Sequence, residues 1–336
     1  MTAKGEVRRI MNDTANRVAD APADIWVYRL LPSAIWPYAQ LARWDRPIGW
    51  WLLMWPCWWS LALAVNVRIE AAAVGEGAGS VFILLLGLLF FWLGAVMMRG
   101  AGCTYNDLVD AKIDAMVERT ASRPIPSGRV TRKKAFIFMV LQALVGLFCL
   151  ITLAGIVSPA INEFAFILGV ASLAIVAAYP FAKRVTDWPQ LVLGLAFSWG
   201  ALMGWAVVFA GLDWPALLLY LGSILWVIGY DTMYAHQDKE DDALIGVRST
   251  ARLFGDRTKQ ALILLYSGTL ALFIAAFNLA GAGWAAYLGL LVGCAHMIWQ
   301  VKTLDIDDPD NCLALFKSNT VFGWMLFAGL MADILI

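Results

Sequence analysis

The chain has 336 residues, of which 61% are hydrophobic and only 15% are charged, whereas a soluble domain carries about 25% charged residues. Its 25 basic and 25 acidic side chains give a net charge of zero, so the composition offers no support for nucleic-acid binding. Long uncharged runs alternate with short charged loops, which is typical of a protein that crosses the membrane several times.

The N-terminal region differs from the rest. The first 46 residues contain seven basic residues and no uninterrupted apolar core, so we do not expect a cleaved signal peptide. Residues 25–44 mix aromatic side chains with Arg and two prolines, which predicts a broken segment on the membrane surface. We therefore divide the chain into a cytoplasmic or interfacial segment (1–40) and a transmembrane domain (41–336). Because an Arg/Ser-rich, acid-poor presequence is not evident, we expect a bacterial cell inner membrane rather than a mitochondrial one.

The remaining chain contains nine apolar stretches of the length that spans a bilayer. They run near residues 47–66, 79–101, 134–155, 162–182, 189–211, 213–234, 259–280, 282–302 and 315–335. A nine-span arrangement puts 23 of the 25 lysines and arginines on one side, which we predict to be cytoplasmic together with the N-terminus. The sequence thus predicts an all-α multi-pass membrane protein with nine helices around a central cavity.

An acidic segment follows the second predicted span. If the helix continues, Asn106, Asp110 and Asp114 recur every four residues on one face, with Asp107 beside them. Like charges at this spacing repel one another, and carboxylate and amide oxygens suit Mg²⁺. The alternative is an ordinary solvated loop rich in acids.

A second acidic segment follows the sixth predicted span. Asp238 and Asp242 are again four residues apart, Asp231 lies two helical turns earlier, and Asp241 is adjacent. Carboxylates close to a membrane surface are costly and usually serve a function. The two segments can therefore face one cavity and hold two metal ions with a bridging diphosphate.

Basic residues near these segments are candidates for contacts with diphosphate oxygens. They are Arg119, Arg123, Lys183 and Arg184. Arginine suits bidentate phosphate binding and lysine a point contact. The alternative for each is a positive charge that only sets the orientation in the membrane.

Four passages resemble the UbiA superfamily of intramembrane prenyltransferases. They are Arg43-Trp-Asp-Arg-Pro-Ile-Gly; Met98-Arg-Gly-Ala-Gly-Cys-Thr-Tyr-Asn-Asp-Leu-Val-Asp with Asp114; Tyr179-Pro-Phe-Ala-Lys-Arg with Trp188-Pro-Gln; and Tyr230-Asp-Thr-Met-Tyr-Ala running to Gly246-Val-Arg-Ser-Thr-Ala. The context of the second and fourth passages points to the 4-hydroxybenzoate branch. Arg248 and Ser198 depart from the residues that we expect in the family.

The resemblance implies a reaction and a set of site residues. Mg²⁺ and a polyprenyl diphosphate would be bound by Asn106, Asp107, Asp110, Asp114, Asp238 and Asp242, with the aspartates 107, 110, 238 and 242 serving catalysis and Asp231 binding substrate. The prenyl chain would enter from the membrane lipid and be transferred to the ring of 4-hydroxybenzoate, as in ubiquinone biosynthesis. Arg43 would pair with the carboxylate of the acceptor; the alternative is an interfacial anchor paired with Asp45.

Other functions remain open at this stage. A different acceptor, such as haem, a naphthoate or a homogentisate-like ring, would use the same acidic segments. A transporter or divalent-cation carrier would also contain intramembrane acids, but here the acids gather at helix ends. A CDP-alcohol phosphotransferase is disfavoured because its characteristic Asp-Gly start is missing from both segments. The length of the prenyl chain and the oligomeric state do not follow from the sequence.

Overall fold

The computed structural model describes residues 25–71, 77–116, 118–158, 160–239 and 248–336, without the side chains of residues 77, 78, 113, 118, 119, 183, 184 and 238. Every regular element in these ranges is helical. In chain order the α-helices are α1 (Trp26–Leu30), α2 (Trp36–Leu41), α3 (Ile48–Ala71), α4 (Gly77–Val109), α5 (Ala111–Asp114), α6 (Glu118–Ala121), α7 (Arg132–Ala154), α8 (Glu163–Val185), α9 (Pro189–Ser198), α10 (Gly200–Phe209), α11 (Trp214–Ala235), α12 (Thr250–Phe254), α13 (Thr258–Leu279), α14 (Trp284–Thr303) and α15 (Pro309–Leu335).

The prediction of nine spans is confirmed. Within the described ranges, nine helical stretches are long and apolar enough to cross a membrane. They are Ile48–Ala71, Gly79–Val109, Arg132–Ala154, Glu163–Ala182, Pro189–Phe209, Trp214–Ala235, Thr250–Leu279, Trp284–Thr303 and Pro309–Leu335. The protein is therefore an all-α, polytopic membrane protein. The side on which the N-terminus lies and the central cavity stay predictions.

Two features of the spans differ from the sequence-based expectation. The second span continues to Val109, eight residues beyond its predicted end, so its last turns carry the first acidic segment. The fifth span is two helices, α9 and α10, which meet at Trp199. The backbone N–H of Trp199 donates to Ala196 and that of Leu202 to Trp199, three residues back, which is the tighter turn that interrupts an α-helix.

The two shortest connections fall where the sequence predicted them. Helix α10 ends at Phe209, the following residue Ala210 has a φ of +54°, and α11 begins at Trp214. Helices α13 and α14 are joined through Gly281, whose φ is +72°. The N–H of the residue after Gly281 reaches back to the carbonyl of Phe277 at 2.9 Å, which satisfies a carbonyl that the helix end leaves open.

The chain forms two compact units. Unit 1 comprises residues 1–50 and 94–148. Its described elements are α1, α2, the C-terminal half of α4, α5, α6 and most of α7. One core cluster contains Leu41, Ala111, Ile125, Val130 and Ala135. A second cluster joins Val27, Trp36 and Ala39, so the described residues 25–40 pack within this unit. The division that we predicted at residue 40 stays untested as a domain boundary.

Unit 2 comprises residues 51–93 and 149–336 and has an aromatic core. Trp59 and Trp226 are fully buried, with ring centroids 5.1 Å apart. Their indole N–H groups donate to the Gly323 carbonyl at 3.1 Å and to Asn319 Oδ1 at 2.9 Å. Trp59 and Trp226 therefore serve the packing of this core.

Gly204 allows α10 to approach α3 closely, and we expect Gly204→Ala to destabilise unit 2. A Cβ at this position would lie 2.5 Å from the backbone N of Leu61 and 2.7 Å from the carbonyl O of Cys57. Because both atoms belong to the backbone, the helices must separate, which should cost about 1–3 kcal/mol. Thermal unfolding in detergent would measure the loss. The matched control is Gly79→Ala, where a Cβ meets nothing within 4 Å; an equal loss there would contradict the packing argument.

Candidate active site

The first acidic segment begins in the last turn of α4 and extends through the short helix α5. The helix ends at Val109, Asp110 lies at a bend, and α5 ends at Asp114. The N–H of Asp110 nevertheless donates to the Asn106 carbonyl at 2.8 Å, and that of Asp114 to the Asp110 carbonyl at 2.9 Å. The four-residue spacing therefore persists through the bend, as the sequence pattern required.

Asp107 is the central carboxylate of this segment and is fully buried. Its Oδ1 accepts hydrogen bonds from Arg43 at 2.8 Å and from Arg123 at 3.5 Å. Arg123 also donates to Asp114 Oδ2 at 2.9 Å. The two arginines thus offset the repulsion among carboxylates that their spacing implies.

Arg43 is positioned by the end of α2. Its φ of +57° lies in the left-handed region, which costs a residue with a Cβ of order 1 kcal/mol or more. The guanidinium also donates to the carbonyl of Gln40 at 2.7 Å. Beside it, Gln40 donates to the Tyr28 hydroxyl, which donates to the buried carboxylate of Asp45. Strained backbone of this kind persists where the surrounding contacts over-determine it.

The environment shifts the pKa values of two of these groups. Burial is the largest single influence on Arg43 and lowers its pKa. The charge and hydrogen bond of Asp107, together with Cys103 and Asp45, outweigh burial, so the pKa is raised and the guanidinium stays charged. Burial raises the pKa of Asp114 above its usual range, while the Arg123 guanidinium opposes that shift. Arg43 and Arg123 therefore hold Asp107 and Asp114 together in one buried cluster.

The residues present fit a divalent cation. The second carboxylate oxygen of Asp107, Oδ2, is buried and accepts no hydrogen bond, which is costly unless a cation binds there. Asp110 and Asp114 are also buried, and Asn106 is half-buried. No three His, Cys, Asp or Glu side chains within the described ranges are grouped closely enough to hold a metal ion by themselves. A hard cation such as Mg²⁺ completes its shell with water and substrate phosphate.

The second acidic segment begins in the last turns of α11, where Asp231 lies, and passes into a 3-10 helix that ends at Asp238. The side chain of Asp238 and the whole of Asp242 lie outside the described part of the structure, as does Asp241. Lys239 pairs with Asp307 at 2.6 Å, and that bond lowers the pKa of Asp307. His236 is buried against Thr258 at 2.9 Å.

A buried polar network, which the sequence did not reveal, ties this segment to two other parts of unit 2. The hydroxyl oxygens of Thr232 and Thr250 are 2.6 Å apart. Because the single hydroxyl proton of Thr232 goes to the carbonyl of Ile228, Thr250 is the donor between them. The backbone N–H of Thr250 donates to Gln190 Oε1 at 3.0 Å. Thr250 and Gln190 both lie in passages that carry the family resemblance, which was the available signal, but their contact spans 60 residues.

We expect Thr250→Val to loosen this network. Valine keeps the shape but cannot donate to Thr232, so the variant should lose about 1 kcal/mol of stability and catalytic activity should fall several-fold. Thermal unfolding and initial rates would measure the two effects. Thr250→Ser keeps the hydroxyl and should restore most of the activity. If the serine variant were as impaired as the valine variant, the hydroxyl bond would not be the cause.

Three further predicted site residues lie partly outside the described structure. The side chains of Arg119, Lys183 and Arg184 lie outside it. Of the two departures from the family pattern, Arg248 lies 3.8 Å from Asp187. Ser198 is buried, and its hydroxyl has no hydrogen-bond partner.

The fold and this site define a class: a multi-pass membrane enzyme with buried acidic and basic side chains where its helices end. A model of the UbiA prenyltransferase family matches residues 53–327, and the chain belongs to this family. It is a prenyltransferase.

Similar proteins come from several eukaryotes. The chain is 45% identical to "4-hydroxybenzoate polyprenyltransferase, mitochondrial" of Drosophila melanogaster, over 91% of this chain and 73% of that protein. It is 41% identical to the Arabidopsis thaliana protein of the same name, over 91% and 70%. The Bos taurus protein of that name is 42% identical, over 89% and 76%.

Solved structures share the fold. A UbiA homologue from Aeropyrum pernix K1 superposes with a TM-score of 0.64 at 23% identity, covering 84% of this chain and 97% of that one. A UbiA homologue from Archaeoglobus fulgidus, bound to GPP and Mg²⁺, has a TM-score of 0.59 at 18% identity, covering 89% and 100%.

The relatives correct one expectation. The curated proteins above are mitochondrial, so the prediction of a bacterial cell inner membrane, with the site loops in a bacterial cytoplasm, is wrong. The prediction rested on the composition of the N-terminal residues alone. The spans carry no such information, because they match the thickness of a bilayer rather than the identity of an organelle.

Proposed function

We propose that the protein transfers a polyprenyl chain from polyprenyl diphosphate to the ring of 4-hydroxybenzoate, with Mg²⁺, in ubiquinone biosynthesis. The observation that carries the proposal is the buried Asp107, whose one oxygen is bound by two arginines while the other has no partner. The names of the mitochondrial relatives support the acceptor. A UbiA homologue bound to GPP and Mg²⁺ supports the donor and the metal.

In this proposal the acidic segments hold the metal–diphosphate group. Asn106, Asp107, Asp110 and Asp114 supply oxygen ligands in the first segment, and Asp238 and Asp242 supply them in the second. When bound, Mg²⁺ neutralises the charge that builds up on the departing diphosphate. Basic side chains share this role by donating hydrogen bonds to diphosphate oxygens: Arg119, Arg123, Lys183 and Arg184. Asp231, which precedes Asp238 by two turns, contributes to substrate binding.

The reaction breaks the carbon–oxygen bond of the donor and one ring carbon–hydrogen bond of the acceptor, and it forms one carbon–carbon bond between them. The carbon–oxygen bond of the allylic diphosphate breaks, and its electron pair leaves with the diphosphate. A carbon–carbon bond then forms to the acceptor ring beside its hydroxyl, and the displaced ring proton is released. Water would trap the allylic cation as an alcohol, so the apolar helices serve the reaction by excluding water. Arg43 is proposed to bind the carboxylate of the acceptor, which fixes the ring.

Removing the metal should abolish the reaction. Purified protein in lipid, treated with EDTA, is expected to give no prenylated product from labelled 4-hydroxybenzoate and a polyprenyl diphosphate, and added Mg²⁺ should restore it. The measured quantities are prenylated product and released pyrophosphate. Transfer that survives EDTA would refute metal dependence. Mg²⁺-dependent release of pyrophosphate without prenylated 4-hydroxybenzoate would point to a different aromatic acceptor, which naphthoate and homogentisate would then test.

A further inference from the structure

We propose that Arg123 occupies the place of a divalent cation at the first acidic segment and leaves it only when a diphosphate binds, so that metal and prenyl diphosphate bind cooperatively. This inference rests on the proposed function, since it concerns the same metal–diphosphate group. It adds an order of events: the acidic segment binds metal weakly until the diphosphate arrives.

Arg123 bridges two carboxylates of the first acidic segment. One nitrogen of its guanidinium lies 3.5 Å from Asp107 Oδ1 and 2.9 Å from Asp114 Oδ2. The exposed fractions of the three side chains are 16%, 1% and 10%, so water screens this bridge poorly. A single positive charge thus joins two carboxylates that come from different turns, which is the geometry that a bridging cation would adopt.

Arg123 competes with a metal ion for the carboxylate of Asp107. A cation that approaches Asp107 meets a carboxylate whose Oδ1 already accepts from two arginines. Asp107 Oδ2 accepts no hydrogen bond and could bind a metal ion. The positive charge of Arg123, 3.5 Å from the other oxygen of the same carboxylate, would repel that metal ion. In a weakly solvated site such repulsion is strong. While Arg123 stays in place, the affinity for a metal ion is therefore low.

In this proposal a bound diphosphate attracts Arg123 away from the carboxylates. Its Nε is buried and has no hydrogen-bond acceptor, so the side chain has an unused donor. A diphosphate offers several negative oxygens, and a pair of them can accept two parallel hydrogen bonds from the planar guanidinium. Transfer of the arginine from carboxylates to diphosphate exposes the carboxylates and supplies phosphate oxygens to the same metal ion.

Arg43 does not share this freedom. Its guanidinium also donates to the carbonyl of Gln40, three residues back in the chain, and its backbone is in the left-handed region. Arg43 therefore stays on Asp107 and prevents the carboxylate from being left without a positive neighbour. The assignment is that Arg43 is the fixed counter-charge and Arg123 the exchanging one.

The test measures metal binding without turnover. Mn²⁺, which replaces Mg²⁺ and gives an EPR signal, is titrated into the full-length protein in lipid, first without any phosphate compound. Arg123→Gln removes the charged hydrogen bonds, so it should lower the dissociation constant for Mn²⁺ at least about tenfold. The same variant should raise the dissociation constant for the unreactive analogue geranyl S-thiolodiphosphate, measured at saturating Mn²⁺, by a similar factor.

Two further variants make the result specific. Arg132→Gln removes the same charge nearby, but Arg132 is exposed and donates to the carbonyl of Leu108 rather than to a carboxylate; neither constant should change. Arg123→Lys keeps the charge and should bind Mn²⁺ about as weakly as the wild type. Thermal unfolding without metal checks that each variant is folded, and Mn²⁺ should stabilise Arg123→Gln more than the wild type.

The outcomes separate the inference from the proposed function. If Arg123→Gln bound Mn²⁺ no better than the wild type, or bound it more weakly, Arg123 would not compete with the metal, and the inference would be overturned while metal-dependent transfer stood. If no variant and no wild-type sample bound Mn²⁺, with or without the analogue, the proposed metal dependence itself would fail.

Discussion

Replacing Asp107 with asparagine should reduce prenyl transfer by about 1,000-fold, the upper end of the effect of removing one preorganised electrostatic group. Asparagine has the same shape and keeps an oxygen that can accept from Arg43, which lies 2.8 Å away. What it loses is the negative charge that offsets two arginines and would bind a cation through Oδ2. The buried site should therefore persist while its affinity for the metal–diphosphate group falls.

The measurement is the initial rate of product formation at several Mg²⁺ concentrations, with thermal unfolding as a check on folding. Asp256→Asn is the matched control: it makes the same change at an exposed position, and its rate should equal that of the wild type. A folded Asp107→Asn protein that retained more than about a tenth of the wild-type rate would show that this carboxylate is not essential, because lost charge stabilisation costs about 100-fold or more.

Replacing Arg43 with alanine should lower kcat/KM by about 100-fold, the effect of losing a buried, charged hydrogen bond of about 3 kcal/mol. The guanidinium of Arg43 donates hydrogen bonds to Asp107 and to the carbonyl of Gln40. Because arginine has five N–H donors, others remain for the carboxylate of an acceptor. If Arg43 binds that carboxylate, KM should rise more for 4-hydroxybenzoate than for the prenyl diphosphate.

The contrast between the two KM values decides how Arg43 acts. Equal increases for both substrates would count against a contact with the acceptor and indicate that Arg43 works by positioning Asp107. Arg43→Lys keeps a positive charge without the planar fork and should recover part of the loss. Arg46→Ala is the matched control, since Arg46 lies three residues further on and contacts Asp45 at 3.5 Å; it should change neither KM.

Features that depend on neighbouring residues were predictable from the sequence. Asn106, Asp110 and Asp114 share a four-residue spacing, and backbone hydrogen bonds keep that spacing even where α4 gives way to a bend. The short connections at Gly211–Asp213 and Gly281–Gly283 were recognisable because almost no residues separate the neighbouring apolar stretches there. In the second, Gly281 also adopts the positive φ that glycine tolerates at a helix end. Both are properties of a few consecutive residues.

Features that depend on residues far apart in the chain were not predictable from the sequence. The role of Arg43 in binding the acceptor stays a prediction, but its hydrogen bond to Asp107, 64 residues away, was not foreseen. The network of Thr232, Thr250 and Gln190 joins three segments whose hydrogen bonds leave no periodic mark in the sequence. The break at Trp199 is equally hidden, since the apolar run continues through it.

The sequence by itself determined that the protein is helical and crosses the membrane nine times, because lipid imposes a length and a composition on each span separately. Its motifs, rather than its hydropathy, carried the resemblance to the prenyltransferases. Only the tertiary structure decided which basic side chains offset the acids, with Arg43 and Arg123 on Asp107. The physical reason is range: hydropathy and helical spacing act over a few turns, whereas charge pairing in a buried site depends on how segments far apart in the chain pack together.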